Sequence, residues 1–173
     1  MKIKRFAYAL FVLFTVGCTG IPDGVRAVRN FQADCYLGVW YEIARLDHSF
    51  ERGLNNVSAT YTLRKDGGID VLNRGYDVKK GKWKEARGKA YFIGSKDEGR
   101  LKVSFFGPFY GAYNIIALDQ NHYRYTLVCG PNRSYLWILA REKLLDKNTL
   151  DKLVTLAGGL GFNTEDLIYV RHN

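Results

Sequence analysis

The chain has 173 residues, enough for one domain with a hydrophobic core that needs no disulfide staples. Twelve Tyr, ten Phe and three Trp against only three Pro favour β-sheet and exclude a largely disordered chain. The formal charge of +9 is scattered along the chain, which argues against nucleic acid as a partner and leaves a soluble surface or attraction to anionic lipid headgroups.

Residues 1–17 have the organisation of a signal peptide, with a basic start and an apolar run at 6–16 that is too short to span a bilayer. The run ends in a Thr-Val-Gly-Cys sequence that resembles a lipobox, although Thr15 stands where Leu is usual. The resemblance implies that Cys18 starts the mature protein, diacylated on its sulfur and acylated on its nitrogen, with palmitate as the expected acyl group. Such acyl chains together anchor a protein almost permanently. Ordinary secretion with an incidental Cys is the alternative.

The segment 18–30 contains closely spaced glycines, a proline and polar residues, which predict a lipidated N-terminal tether. A single barrel domain is expected to follow at 31–173. Phe31 and Tyr36 precede its first strand, and we expect their rings to plug one end of the domain.

The stretch 38–45 predicts the first strand, because it is rich in aromatic and β-branched residues and opens with a glycine. Alternation places Trp40, Glu42 and Ala44 on one face. A carboxylate on the same face as a Trp is unusual in a dry core. It indicates a barrel whose interior is a cavity.

The following segments repeat the strand pattern at short, regular spacing, with turns rich in Gly, Asp and Lys between them. Together with the first strand they make about eight, the number whose closed barrel can hold one small ligand. The predicted fold class is therefore all-β, an eight-stranded up-and-down antiparallel barrel with one C-terminal α-helix. The predicted strands are 57–63, 69–76, 83–93, 101–106, 113–118, 125–129 and 135–140.

The C-terminal helix is predicted from Leu150, Leu153, Val154 and Ala157, which recur at helical spacing. Asp146 is a suitable N-cap and a Gly-Gly pair at 158–159 a suitable end. Its apolar stripe is expected to pack on the outer wall of the barrel. A last short strand is predicted at 167–170.

Three short motifs resemble the signatures of the lipocalins, and they occur in the right order. Gly38-x-Trp40 resembles the first, Asp119 followed by Tyr123 or Tyr125 the second, and Arg141 after a Tyr-Leu-Trp-Ile-Leu-Ala strand the third. Longer matches narrow the resemblance to the bacterial outer-membrane lipocalins, from about residue 25 to the C-terminus. These matches are 40–45, 47–54 and 105–111.

The resemblance implies a closed end and a ligand cavity. Arg141 is expected to stack across Trp40 and close the barrel, an interaction worth about 1–2 kcal/mol or more when desolvated. The alternative is that the inward-facing side chains nearer the open end simply fill the barrel and leave no cavity. Glu42 is expected to belong to a buried polar network rather than to act as a catalytic carboxylate. The expected ligand-binding residues are Glu42, Tyr61, Phe105, Asn114 and Trp137.

The two cysteines of the domain are expected to be free thiols. Cys35 precedes a strand that starts at the closed end, whereas Cys129 ends a strand that runs towards the open end. They should lie a strand length apart, roughly 20 Å, which no disulfide can bridge. Phe109 and Tyr110 are expected at the open end. Three roles are compatible with this position: an entrance lip, a dimer contact and a site that touches the membrane.

The resemblance implies a lipoprotein anchored on the periplasmic face of the outer membrane, which binds and stores or carries fatty acids or lysophospholipids in envelope maintenance. It implies binding without turnover, and no cofactor or metal is expected, because the three His lack metal-ligand spacing. One alternative is a lipid-modifying enzyme of the same fold that uses Cys129 or Glu42. Another is a carrier of haem or bilin. A homodimer occurs in the family and is left open here.

Overall fold

The computed structural model describes residues 19–173, so the predicted signal peptide and Cys18 lie outside the described residues. The chain forms a short helix, eight strands, a longer helix, a 3₁₀ turn and a short last strand. These are α1 (Ala33–Tyr36), β1 (Gly38–Arg45), β2 (Leu54–Leu63), β3 (Ile69–Asp77), β4 (Lys82–Phe92), β5 (Arg100–Phe106), β6 (Phe109–Leu118), β7 (Tyr125–Cys129), β8 (Leu136–Ala140), α2 (Lys147–Gly159), the 3₁₀ turn (Thr164–Asp166) and β9 (Ile168–Tyr169).

The sheet closes into a barrel. Each of β1 to β7 pairs antiparallel with the next strand, and β8 pairs back onto β1. The predicted fold class is confirmed. Trp40, near the start of β1, lies at the end of the barrel that we call the closed end. Strand direction alternates at every hairpin, so the connections lie at the two ends in turn. The connections 46–53, 78–81, 107–108 and 130–135 all lie at the other, the open end.

The first strand departs from simple alternation. Its register against β8 shifts between Glu42 and Ala44. This β-bulge leaves Ile43 and Ala44 both on the outside and turns Arg45 inward beside Glu42. The expectation that Ala44 shares the inner face with Trp40 is therefore wrong, because one extra residue reverses the alternation.

The C-terminal residues complete the wall where β1 and β2 separate. β9 pairs with β1 beside the bulge. Just beyond it the N–H of Asn56 in β2 donates to the carbonyl of Arg171 at 2.9 Å. On the other side, His172 Nε2 lies 2.8 Å from the carbonyl oxygen of Glu42. The last strand thus fills a gap between β1 and β2 towards the open end.

Two hydrophobic clusters lie on opposite faces of the wall. The interior cluster occupies the barrel, and its fully packed members are Phe31, Tyr36, Trp40, Tyr61, Ile69, Val71, Ala90, Leu101, Ile115, Tyr123, Val128 and Leu139. The outer cluster lies between the wall and α2, and its members are Val25, Ile43, Ala44, Leu46, Ile116, Leu127, Cys129, Leu136, Ile138, Ala140, Leu153, Ala157, Phe162 and Leu167. The rings of Phe31 and Tyr36 plug the closed end, as predicted.

The N-terminal segment 19–30 is bound along the outside of the barrel. Near its start, Arg133 Nη2 of the open-end connection 130–135 donates to the carbonyl of Asp23 at 2.7 Å. At its end, the N–H of Phe31 donates to the carbonyl of Asp97, in the closed-end connection between β4 and β5, at 2.8 Å. The segment predicted as a tether therefore runs the height of the barrel, with its start at the open end.

Helix α2 has the predicted cap and packing. The carboxylate of Asp146 accepts from the N–H of Thr149 at 2.9 Å, which satisfies one of the free donors of the first turn. Leu153 and Ala157 are buried against the wall. Within residues 19–173, no helix is both long and apolar enough to cross a membrane.

The packing of α2 can be tested with two leucines three residues apart. We expect Leu153→Ala to lower the free energy of unfolding by about 2–4 kcal/mol, because it empties a buried site. Leu156→Ala should cost less than about 1 kcal/mol, because its side chain faces solvent. The two are 4% and 42% exposed. Urea unfolding measures both, and equal losses would show that the helix is not held through the Leu153 face.

Candidate ligand-binding site

The closed end is sealed by a cation–π stack. Arg141 Cζ lies 4.0 Å from the centre of the Trp40 ring. The guanidinium also donates to the carbonyls of Val39 and Cys35, each at 2.8 Å. Gly38, at the start of β1, has a φ of +93°, a backbone conformation that favours glycine. One side chain therefore ties the end of β8 to the start of β1.

Three tyrosines form a polar floor just above this seal. The hydroxyl of Tyr113 lies 2.7 Å from that of Tyr36 and 2.9 Å from that of Tyr61. Burial raises the pKa of all three hydroxyls, so they stay neutral at any ordinary pH. Tyr61 thus lies at the bottom of the barrel, as part of a hydrogen-bonded cluster.

Higher in the barrel the apolar wall is only partly covered. Val103, Phe105 and Trp137 belong to the interior cluster, yet each is half-buried rather than buried. The Phe105 ring packs directly on the backbone of β4, since a Cβ on Gly88 would lie only 2.8 Å from it. Because these inward-facing side chains remain partly accessible, the upper half of the barrel is the candidate place for a ligand.

Asn114 is not part of this wall. Its neighbour Tyr113 points inward, so alternation turns Asn114 outward. Its Nδ2 donates to the carbonyl of Gly20 at 3.0 Å and to that of Gly130 at 3.2 Å. The structure therefore corrects its expected place among the ligand-binding residues: the side chain holds the N-terminal segment against the outside of the barrel.

A buried ion pair lies on the inner wall above the floor. Arg45 Nη1 donates to Glu42 Oε1 at 2.6 Å, and Arg45 Nη2 donates to the carbonyl of Glu51 at 2.9 Å. Burial, and next the Glu51 carboxylate, raise the pKa of Glu42, while the Arg45 guanidinium opposes this. The polar network expected around Glu42 exists, and the partner of the carboxylate is Arg45.

The network continues to the open-end connection 46–53. His48 Nε2 lies 2.8 Å from Glu51 Oε2, and Trp137 Nε1 donates to the same oxygen at 3.0 Å. The His48 ring also packs against Phe50 and Trp137, at 4.5 and 4.8 Å between centres. Burial lowers the pKa of His48 to about 4, so the imidazole is neutral at neutral pH. Trp137 therefore presents both an apolar face and a fixed N–H to the barrel.

Sequence reasoning missed four polar residues of the interior, Arg45, His48, Glu51 and Asn73. The bulge that turns Arg45 inward has no marker in the sequence. His48 and Glu51 fall in the matched stretch 47–54, which was the available signal. Asn73 shares the inner face of β3 with Val71, and its Oδ1 is buried without a hydrogen-bond partner.

The thiols are not arranged for chemistry. Cys35 is exposed and Cys129 buried, and both are free, as predicted. Cys129 lies in the outer cluster, and burial raises the pKa of its thiol to about 12, which leaves it unreactive. The described part of the chain contains no group of three or more His, Cys, Asp or Glu side chains that could hold a metal ion.

A closed eight-stranded barrel with one sealed end and an accessible apolar interior defines a binding protein for small hydrophobic ligands. Comparison with known proteins agrees with this class. The model of the lipocalin-like domain matches residues 31–172. This chain belongs to the lipocalin family.

Two bacterial relatives share half or more of the sequence. The chain is 55% identical to the outer membrane lipoprotein Blc of Vibrio cholerae over 155 residues, which is 90% of this chain and 91% of the relative. It is 50% identical to the protein of the same name from Escherichia coli K12 over 171 residues, 99% and 96% of the two chains. The predicted location, a lipid-anchored protein of the outer membrane, is confirmed by these relatives.

The fold is shared more widely. Insecticyanin from the tobacco hornworm Manduca sexta superposes with a TM-score of 0.72 at 20% identity, over 89% of this chain and 87% of that one. At this identity the likeness concerns the fold alone. Membership of a family of binding and carrier proteins confirms the expectation that this chain is not an enzyme.

The seal can be tested by Arg141→Lys. The change keeps the charge but loses the planar fork, so we expect the free energy of unfolding in urea to fall by about 1–2 kcal/mol. The control is Arg124→Lys at the same end, whose side chain is 68% exposed and pairs with Asp119. It should change stability by less than about 0.5 kcal/mol. Equal effects would contradict the role assigned to the stack.

The neutral His48 predicts a dependence of stability on pH. Its pKa is lower in the folded protein than the unfolded value of 6.5, so its contribution is complete above pH 6.5 and is lost as the pH falls towards 4. Between pH 7 and pH 4.5 we expect wild type to lose on the order of 2 kcal/mol more stability than His48→Gln. The raised pKa of Glu51 acts with the opposite sign in both proteins. Urea unfolding measures both proteins across this pH range. Equal losses of stability in wild type and His48→Gln would contradict the assignment of a buried, neutral His48.

Proposed function

We propose that the barrel binds a fatty acid or a lysophospholipid and stores or carries it in envelope maintenance. The observation that carries this proposal is the accessible apolar wall above the tyrosine floor, formed by Val103, Phe105 and Trp137. An acyl chain that enters it leaves water, at about 0.8 kcal/mol for each buried CH₂. Binding of this kind needs no reaction and no cofactor.

The polar end of such a ligand stays towards the open end. Glu42 and Trp137 are the expected ligand-binding residues that lie beside polar partners there, and Asn73 adds an interior amide oxygen without a partner. Phe105 contributes wall. Tyr61 contributes the floor on which the end of an acyl chain would rest.

We also propose that Cys18 carries the lipid anchor and that the barrel lies on the periplasmic face of the outer membrane. The support is the lipobox-like sequence together with the names of the two bacterial relatives. The anchor and the cavity then have separate tasks, since one holds the protein at the membrane and the other holds an exchangeable lipid.

Native mass spectrometry of the protein extracted from its own membrane in mild detergent tests these proposals. We expect a bound mass equal to one fatty acid or lysophospholipid, and three acyl groups on Cys18. The same spectra show whether one barrel or two are present. A coloured cofactor, or no bound mass even after incubation with excess lysophospholipid, would overturn the ligand proposal.

Two neighbouring residues on opposite faces of β5 give a matched test of the cavity. Val103 faces the interior, whereas Lys102 lies outside over the Tyr110 ring. We expect Val103→Trp to weaken binding of a fluorescent fatty acid by roughly tenfold or more, since displacing two CH₂ groups is enough for that. Lys102→Trp should leave the affinity unchanged. Equal affinities of the two variants would place the ligand elsewhere.

A further inference from the structure

The open end of the barrel carries the exposed phenylalanines. Among the described residues, Phe50, Phe106 and Phe109 are the Phe side chains that are more than half exposed, at 60, 80 and 66%. Phe50 lies in the connection 46–53, and the other two flank the tip of the β5–β6 hairpin. Aromatic side chains grouped at one end of a protein and facing water mark an interaction surface.

The same end carries a cluster of lysines. Lys79, Lys80 and Lys82 are exposed at the β3–β4 turn, next to the open rim. None of the three takes part in a salt bridge within the described residues. Basic side chains beside exposed apolar ones suit a surface that is both apolar and anionic, as a bilayer containing acidic phospholipid is.

The route of the N-terminal segment fixes which end can face the membrane. Gly20 is held by Asn114, and Asp23 by Arg133 of the open-end connection 130–135. Gly20 is two residues after Cys18, and two extended residues span at most about 7 Å. An anchor on Cys18 therefore leaves the protein from the half that carries the mouth, not from the sealed end.

We infer that the mouth of the barrel rests on the membrane that holds the anchor. Phe50, Phe106 and Phe109 enter the boundary between headgroups and acyl chains, and the lysine cluster contacts anionic headgroups. In this orientation a lipid passes between bilayer and cavity without crossing water. The docking geometry rests on the proposed anchor at Cys18 but not on the proposed cavity ligand.

The experiment uses the full lipidated chain in vesicles of phosphatidylethanolamine and phosphatidylglycerol, with Cys35→Ser to remove the exposed thiol. An environment-sensitive nitrobenzoxadiazole label is attached through Phe106→Cys or, as a control, through Leu144→Cys. These two positions are 80 and 84% exposed and lie at opposite ends of the barrel. Dithionite, which cannot enter the bilayer, reduces any label that remains in water.

We expect the label at position 106 to be reduced roughly tenfold more slowly than the label at 144, because it lies at the acyl boundary. Changing Lys79, Lys80 and Lys82 to Glu in the Phe106→Cys protein should remove most of this protection. Equal reduction rates at 106 and 144 would overturn the inference.

Protection that persists in detergent without vesicles and rises with protein concentration would also overturn it, since a second copy would then cover the mouth. The anchor is checked beforehand by the mass of the lipidated protein. Ligand binding is measured in detergent, so a failure of docking and a failure of the cavity proposal can be told apart.

Discussion

The stack of Arg141 on Trp40 is the interaction on which the sealed end of the barrel depends. The ladder between β8 and β1 closes the sheet, and this guanidinium adds a ring contact and two backbone acceptors where that ladder ends. Because it seals one end, the interior can be lined by apolar residues without opening to water on both sides. The tyrosine floor lies just above this seal, and the accessible wall and the polar network lie towards the mouth.

The second constraint is charge inside the barrel. Burying an ion pair such as Glu42 and Arg45 carries a desolvation cost that the attraction and the surrounding hydrogen bonds have to offset. Here the pair is tied through Glu51 to His48 and Trp137, which holds an open-end connection against the inner wall. The structural result is a barrel interior with a defined polar corner. That corner distinguishes it from a core filled with hydrocarbon.

Much of this architecture could be predicted from sequence, because strand alternation, turn residues and the helical stripe are local signals. The two ends of the barrel followed from counting hairpins. The bulge beside Ile43 could not be predicted, because nothing in the residue types of β1 marks where one extra residue is accommodated. Nor does a strand reveal which of two neighbours, Tyr113 or Asn114, faces inward. The partner of Glu42 was missed because it depended on that bulge.

The way the C-terminal residues complete the wall has a kinetic consequence. The contact of His172 with Glu42 joins positions 130 residues apart, and it forms beside a gap that β2 does not cover. Closing such distant contacts carries a large loop-entropy cost, so the ring should assemble slowly and as one of the last events of folding. Until then the edges of β1 and β2 that face the gap near the open end are available to pair with other chains.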